Sequence, residues 1–70
     1  MRRRVLRSSE LRSVGYDART KRLEVELNEG DVYDYFDVPE SEYEDLMNAA
    51  SRRRYLSSRI HQVYCFRKVR

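Results

Sequence analysis

The chain is poor in most of the residues that would signal a secreted, metal-dependent or membrane-bound protein. Its 70 residues hold one Cys, one His, one Pro, two Gly and no Trp. The single Cys65 excludes an internal disulfide and fits a reducing compartment, so the fold must stand without a covalent staple. One Cys with one His cannot supply the four ligands of a structural zinc site, and no cofactor is expected. Gly15 and Gly30 stand alone, which excludes a glycine-rich phosphate loop. No apolar run approaches the ~20 residues of a membrane span. Residues 1–8 are Arg-rich but lead into no apolar stretch, so a secretory signal is not expected and a cytoplasmic location is. The length allows one domain with a thin core. What the chain does have is charge, with 39% Asp, Glu, Lys and Arg, and eight aromatic side chains, six of them Tyr. The aromatics and the alternating patterns below argue for a packed fold over disorder.

The charge is sorted along the chain. Residues 1–22 carry a net +6, residues 23–51 a net −10 with no basic group, and residues 52–70 a net +7 with no acidic group. The overall +3 conceals this segregation. If the ends meet in space, one surface is basic and the opposite one acidic, which would attract and orient an anionic partner. The plainer alternative is that the blocks pair with each other inside the fold, where surface ion pairs are individually weak.

Periodicity predicts α+β architecture: a small antiparallel sheet, made of a three-stranded meander and a C-terminal strand, with one main helix packed on it. Residues 11–16 read as a first strand, and residues 17–21 as a turn. Residues 22–27 alternate, with Leu23, Val25 and Leu27 on one face and Glu24 and Glu26 on the other. Asn28-Glu29-Gly30 has the chemistry of a three-residue loop closed by a left-handed glycine. That length sets Val25 opposite Tyr33 and Leu23 opposite Tyr35. A two-residue loop would put Asp34 on the buried face, at a cost. Residues 31–38 form the third strand, whose other face, Val32, Asp34 and Phe36, is expected half exposed. Pro39 ends it. A helix is expected over residues 40–50, capped by Ser41 with Glu44 completing the capping box. Tyr43, Leu46, Met47 and Ala50 form its apolar stripe. Residues 55–60 read as a short helical or turn segment with Tyr55, Leu56 and Ile60 inward. Residues 61–69 read as a last strand, able to pair with the first and so join the basic blocks.

Ser8-Ser9, Ser13-Val14-Gly15-Tyr16-Asp17, Leu23-Glu24-Val25-Glu26-Leu27, Gly30-Asp31-Val32-Tyr33-Asp34-Tyr35 and Val38-Pro39 together resemble the KTSC family, as do Tyr43, Ala49, Ser51, Tyr55, Ile60 and Tyr64. The Tyr-x-Tyr signature of that family matches Tyr33 and Tyr35, and the resemblance covers residues 8–69. It implies a short domain that occurs at the C-terminus of some lysyl-tRNA synthetases and alone in small bacterial and phage-type proteins, with RNA binding as its suggested role. Two positions depart from the pattern. Arg53 stands where a Gly is usual after the helix, and Ser57 where an Asn is common. The division that follows is a basic arm over residues 1–7 and a single KTSC-like domain over residues 8–70.

Catalysis is not expected. His61 and Cys65 lie four apart on an expected strand, on one face but out of contact, with no orienting group or oxyanion site. Cys65 reads as a small buried side chain, His61 as a solvated strand start, and Ser8-Ser9 as a cap or turn. The candidate nucleic-acid contacts are Arg2, Arg3, Arg4 and Arg7, then Arg52, Arg53, Arg54 and Arg59, then Arg67, Lys68 and Arg70. Arginine outnumbers lysine 13 to 2, which favours forked phosphate contacts and stacking over plain point charge. Tyrosines on a small sheet can stack unpaired bases, and for Tyr33 and Tyr35 both the core and the binding reading stand. The expected function is a non-enzymatic module that binds RNA, as tRNA or single strands. The alternative is a protein-interaction module, a regulator of phage or bacterial type, docking on the transcription or translation machinery.

Overall fold

The computed structural model describes the backbone of residues 3–5 and the whole of residues 11–70. The described residues form a five-stranded antiparallel sheet in sequence order: β1 (Arg3–Val5), β2 (Leu11–Asp17), β3 (Arg22–Leu27), β4 (Val32–Tyr35) and β5 (Phe66–Lys68). Between β4 and β5 run α1 (Glu40–Asn48) and a second helical segment. That segment consists of α2 (Arg52–Tyr55), a π-helical turn (Leu56–Ile60) and α3 (His61–Val63). The expected α+β sheet with a packed helix is thus present, extended by β1 ahead of the meander. Part of the expected basic arm, Arg3–Val5, pairs with β2 through Arg3↔Gly15 and Val5↔Ser13.

The β3–β4 hairpin has the expected register, with Val25 opposite Tyr33 and Leu23 opposite Tyr35. Leu27 N donates to Asp31 O at 2.8 Å, and Gly30 has φ +102°. A side chain at that φ is strained, so the loop selects glycine. The turn before β3 is tied by Asp17, whose Oδ1 accepts the amides of Arg19 and Thr20. Burial raises the Asp17 carboxyl, but the bonds from Arg19 and Thr20 and the Arg19 charge together outweigh it and hold the group below its ordinary pKa.

One row across the sheet reads Val14, Val25, Tyr33, Lys68, and the next reads Tyr16, Leu23, Tyr35, Phe66. On these rows the helices deposit Leu46, Leu56 and Ile60, which complete a buried core with Leu11, Val14, Leu23, Val25, Tyr35 and Val38. Tyr16 stacks on Tyr43 of α1 at 4.9 Å between ring centroids, and its hydroxyl donates to Val38 O at 2.5 Å.

Several expectations are corrected. β5 pairs with β4, not with the first strand, so the two basic ends of the chain lie on opposite edges of the sheet. Residues 61–63 are helical, because Leu56 and Ile60 repeat four apart and extend the helical stripe. Consequently His61 is a half-buried helix residue, and Cys65 after the helix is exposed, not buried. α1 starts at Glu40 with Pro39 as N-cap and no side-chain cap bond, so the Ser41–Glu44 box does not form. The face carrying Val32 and Asp34 is buried at 2% and 3% exposure, not half exposed. Ser8-Ser9 lies outside the described residues.

Candidate functional site

The helix-bearing side of the sheet holds an aromatic cluster built from two strands and a helix. β4 supplies Tyr33 and Tyr35, β5 supplies Phe66 opposite Tyr35, and α3 supplies His61. The His61 and Phe66 rings lie 4.1 Å apart. Tyr33 meets His61 edge-on at 5.8 Å and Phe66 at the same distance. The Tyr35 hydroxyl and His61 Nδ1 share a hydrogen bond of 2.9 Å. In a neutral imidazole with Tyr35 as donor, the proton sits on Nε2. Burial, and secondarily Tyr33, pushes the Tyr35 hydroxyl up to about 12, so it keeps its proton.

Beside this cluster opens a cavity of about 150 Å³ lined by Leu27, Tyr33, Tyr35, Arg53, Leu56, Ser57 and His61. Its floor is apolar and its rim polar, the general form of a small-ligand site. Tyr35 is buried, whereas Tyr33 is half-buried and Phe66 is 44% exposed. The tyrosine signature therefore divides by burial: both rings line the cavity, Tyr35 as part of the buried core and Tyr33 half-buried.

Arg53 reaches the β3–β4 loop and donates from Nη1 to Glu29 Oε1 at 2.9 Å and from Nη2 to Glu29 Oε2 at 2.6 Å. The pair holds the Glu29 carboxyl below its usual range and the Arg53 guanidinium above its own. Lys68 closes on the same loop, with Nζ 3.7 Å from Asp31. Arg53 and Lys68 thus flank the hairpin loop on the aromatic side.

The remaining expected contacts are scattered. Arg52 donates from Nε and Nη2 to Met47 O at 3.2 and 3.0 Å, closing the C-terminus of α1. Arg54 is exposed, and its amide is capped by the Ser51 hydroxyl. Arg59 Nε lies 3.8 Å from Glu42. Strand alternation sends Arg67 to the far side of the sheet, 3.9 Å from Asp34, while Arg70 lies 3.8 Å from Glu26. A single basic surface joining the Arg52–Arg54 cluster to all of Arg67, Lys68 and Arg70 is therefore absent among the described residues. Arg2 and Arg7 lie outside the described residues. Arg3 and Arg4 are placed in β1 by their backbone.

Two features escaped sequence reasoning. The first is His61, hidden by reading helix as strand. The second is Glu42, 7% exposed, which accepts the Tyr55 and Tyr64 hydroxyls, the latter at 2.9 Å. The Glu42 carboxylate, followed by burial, pushes the Tyr55 hydroxyl up to about 12. The signal was the spacing of Glu42 and Leu46, four apart and hence on one helix face. Among the described residues, no three His, Cys, Asp or Glu side chains gather as a metal site, and no helix is long and apolar enough to cross a membrane.

The model of the KTSC domain matches residues 7–64. A lysine–tRNA ligase of Nostoc punctiforme is 34% identical over 61 residues, which cover 87% of this chain and 11% of the ligase. An uncharacterized protein of Stutzerimonas stutzeri is 42% identical over 57 residues, covering 81% of this chain and 80% of that protein. The crystal structure of a KTSC domain protein from Yersinia pestis superposes with a TM-score of 0.87 at 31% identity, covering 99% of this chain and 97% of the other. The chain thus corresponds to a small part of the ligase and to most of the other two proteins.

Proposed function

The chain belongs to the KTSC domain family, and from that premise we propose that it is a non-enzymatic module that binds unpaired RNA, as single strands or as loops and ends of tRNA. The observation that carries this reading is the open aromatic cavity, with Tyr33, His61 and partly exposed Phe66 beside it. Unpaired bases stack on such faces, and backbone phosphates find cations around them. Lys68, opposite Tyr33, is the phosphate contact on this side, and exposed Arg54 lines a separate groove with Ala49, Ala50 and Tyr55. A relative named as a lysine–tRNA ligase adds support, since such an enzyme handles an RNA.

The test is fluorescence anisotropy of labelled single-stranded RNA and of tRNA with the 70-residue chain, at low and at physiological salt. Tyr33→Ala and Phe66→Ala should each weaken binding by roughly 5- to 150-fold, the effect of one lost base stack. The rival reading, docking on a protein, draws on the exposure of Val63 at the end of α3, of Phe66 in β5 and of Val69 just after it. Absence of RNA binding at low salt, together with a protein partner that survives nuclease treatment, would replace the RNA reading with that one.

A further inference from the structure

The bond pattern of Arg53 says what kind of base the cavity takes. Both terminal nitrogens of its guanidinium are engaged end-on by the two Glu29 oxygens. The guanidinium has a second fork at its side, made by Nε–H and the outer hydrogen of Nη2. Among the described residues, Arg53 Nε has no partner, and Arg53 lines the cavity. The Glu29 pair does two things to this fork. It fixes the guanidinium plane, which lowers the entropy lost on binding. It also offsets the charge, so a phosphate approaching Arg53 meets the Glu29 carboxylate as well.

A group of this kind suits a neutral ligand with two adjacent, coplanar acceptors. Among the RNA bases that description fits guanine, whose O6 and N7 accept a forked arginine. Adenine places its N6 donor beside N7, against a donor of the fork. Of the pyrimidines, uracil has N3–H between its two carbonyls and carries no adjacent acceptor pair, whereas unpaired cytosine offers O2 with N3. Its single ring covers less of the apolar floor than a purine does, and the cytosine oligomer in the experiment separates the two. The cavity of about 150 Å³ has room for one base, and its apolar floor of Leu27 and Leu56 with the Tyr33 ring beside it suits a flat heterocycle.

We propose that the cavity is a base-specific site for one unpaired guanine of single-stranded RNA, read on its O6/N7 edge by the free fork of Arg53 while Glu29 holds that residue in place. This deepens the RNA-binding reading and rests on it.

The experiment compares uridine pentamers carrying guanine, adenine, cytosine or 7-deazaguanine at the centre, by anisotropy competition with wild type and Arg53→Lys. Lysine keeps the charge near Glu29 but has no fork. Circular dichroism confirms that the variant is folded, as expected for an exposed position. Wild type should prefer the guanine oligomer by roughly 5- to 150-fold. That preference should disappear with 7-deazaguanine, which lacks the N7 acceptor, and in Arg53→Lys. Equal binding of the four oligomers overturns the guanine site and leaves the RNA reading standing. So does a guanine preference that survives in Arg53→Lys. Failure of every oligomer and of tRNA to bind overturns both.

Discussion

Removing one hydroxyl, Tyr55→Phe, tests how the two helical segments are held together. Glu42 comes from α1 and is 7% exposed, while Tyr55 ends α2 and Tyr64 follows α3. Both hydroxyls donate to the one carboxylate, Tyr64 at 2.9 Å, and Arg59 Nε stands 3.8 Å away. A hydrogen bond to a charged acceptor contributes about 1.5–3 kcal/mol. The ring stays in place in the variant, so packing loss is small and the bond is the main term. A 70-residue domain has a total stability of roughly 4–10 kcal/mol. Tyr55→Phe should therefore remove between about a sixth and three quarters of it, and lower Tm by roughly 10 °C. Urea denaturation followed by circular dichroism gives the change, with an unaltered m-value confirming that the folded and unfolded states are otherwise the same. In the double variant Tyr55→Phe/Tyr64→Phe, Glu42 keeps Arg59 alone among the partners described. Its loss should exceed the sum of the single variants, since a mostly buried carboxylate is left poorly satisfied. A loss below ~0.5 kcal/mol for Tyr55→Phe would refute the reasoning, by showing that water replaces the tyrosine without penalty.

Val25 is fully buried between Val14 and Tyr33 on the central row, so Val25→Ala should cost about 2 kcal/mol in urea denaturation. Gly30→Ala should cost about 1 kcal/mol through φ alone, because an added Cβ meets nothing within 4 Å, and cross-peaks of residues outside the loop should stay in place in NMR spectra. Arg52→Ala removes the two donors to Met47 O and should cost about 1 kcal/mol, again by urea denaturation, while leaving RNA affinity within twofold. Tyr35 and Tyr55 are raised from 10.0 to about 12. Their contribution is complete below the unfolded value and is lost as pH rises from 10 toward 12, since the unfolded chain ionises first. Stability measured across that window should fall with pH, and the fall should be shallower in Tyr55→Phe.

The hairpin was legible because two independent signals agree there, alternation in β3 and the loop chemistry of Asn28-Glu29-Gly30, whereas the penalty for burying Asp34 did not discriminate, since Asp34 is buried in this register too. The C-terminal third was less legible. His61–Val69 alternates polar and apolar over a stretch that also continues the four-residue spacing of Leu56 and Ile60, and tertiary burial of that pair decided for helix up to Val63. The strand survives only where Phe66 and Lys68 meet β4. Asp34 shows the same limit from another side. It is 3% exposed on the side of the sheet away from the helical core, which a reading by alternation alone leaves to solvent. The candidate site was half legible. Tyr33 and Tyr35 stood out by spacing, but the division of labour between them, and the arrival of His61 and Phe66, depend on where β5 pairs.

The segregated charge resolves in the same way. Block by block, the last 19 residues are strongly basic and the middle of the chain strongly acidic. In the fold Arg53 meets Glu29, Arg59 Glu42, Arg67 Asp34, Lys68 Asp31 and Arg70 Glu26. Arg52 spends its donors on a helix carbonyl. Of the seven cations in that block, Arg54 alone has an exposed side chain with no partner among the described residues. Where both partners are exposed, as in Arg53–Glu29 and Lys68–Asp31, the pairs are weak enough for phosphate to compete, but each exchange releases a carboxylate into the neighbourhood of the anion. The long-range field of this surface is therefore much smaller than its arginine count suggests, and what remains is geometry: fixed donor forks and aromatic faces. A ligand recognised that way should bind with a salt dependence far shallower than seven phosphate contacts would give, nearer a slope of ~0.7 for each of the one or two contacts that Arg54 and Lys68 can make.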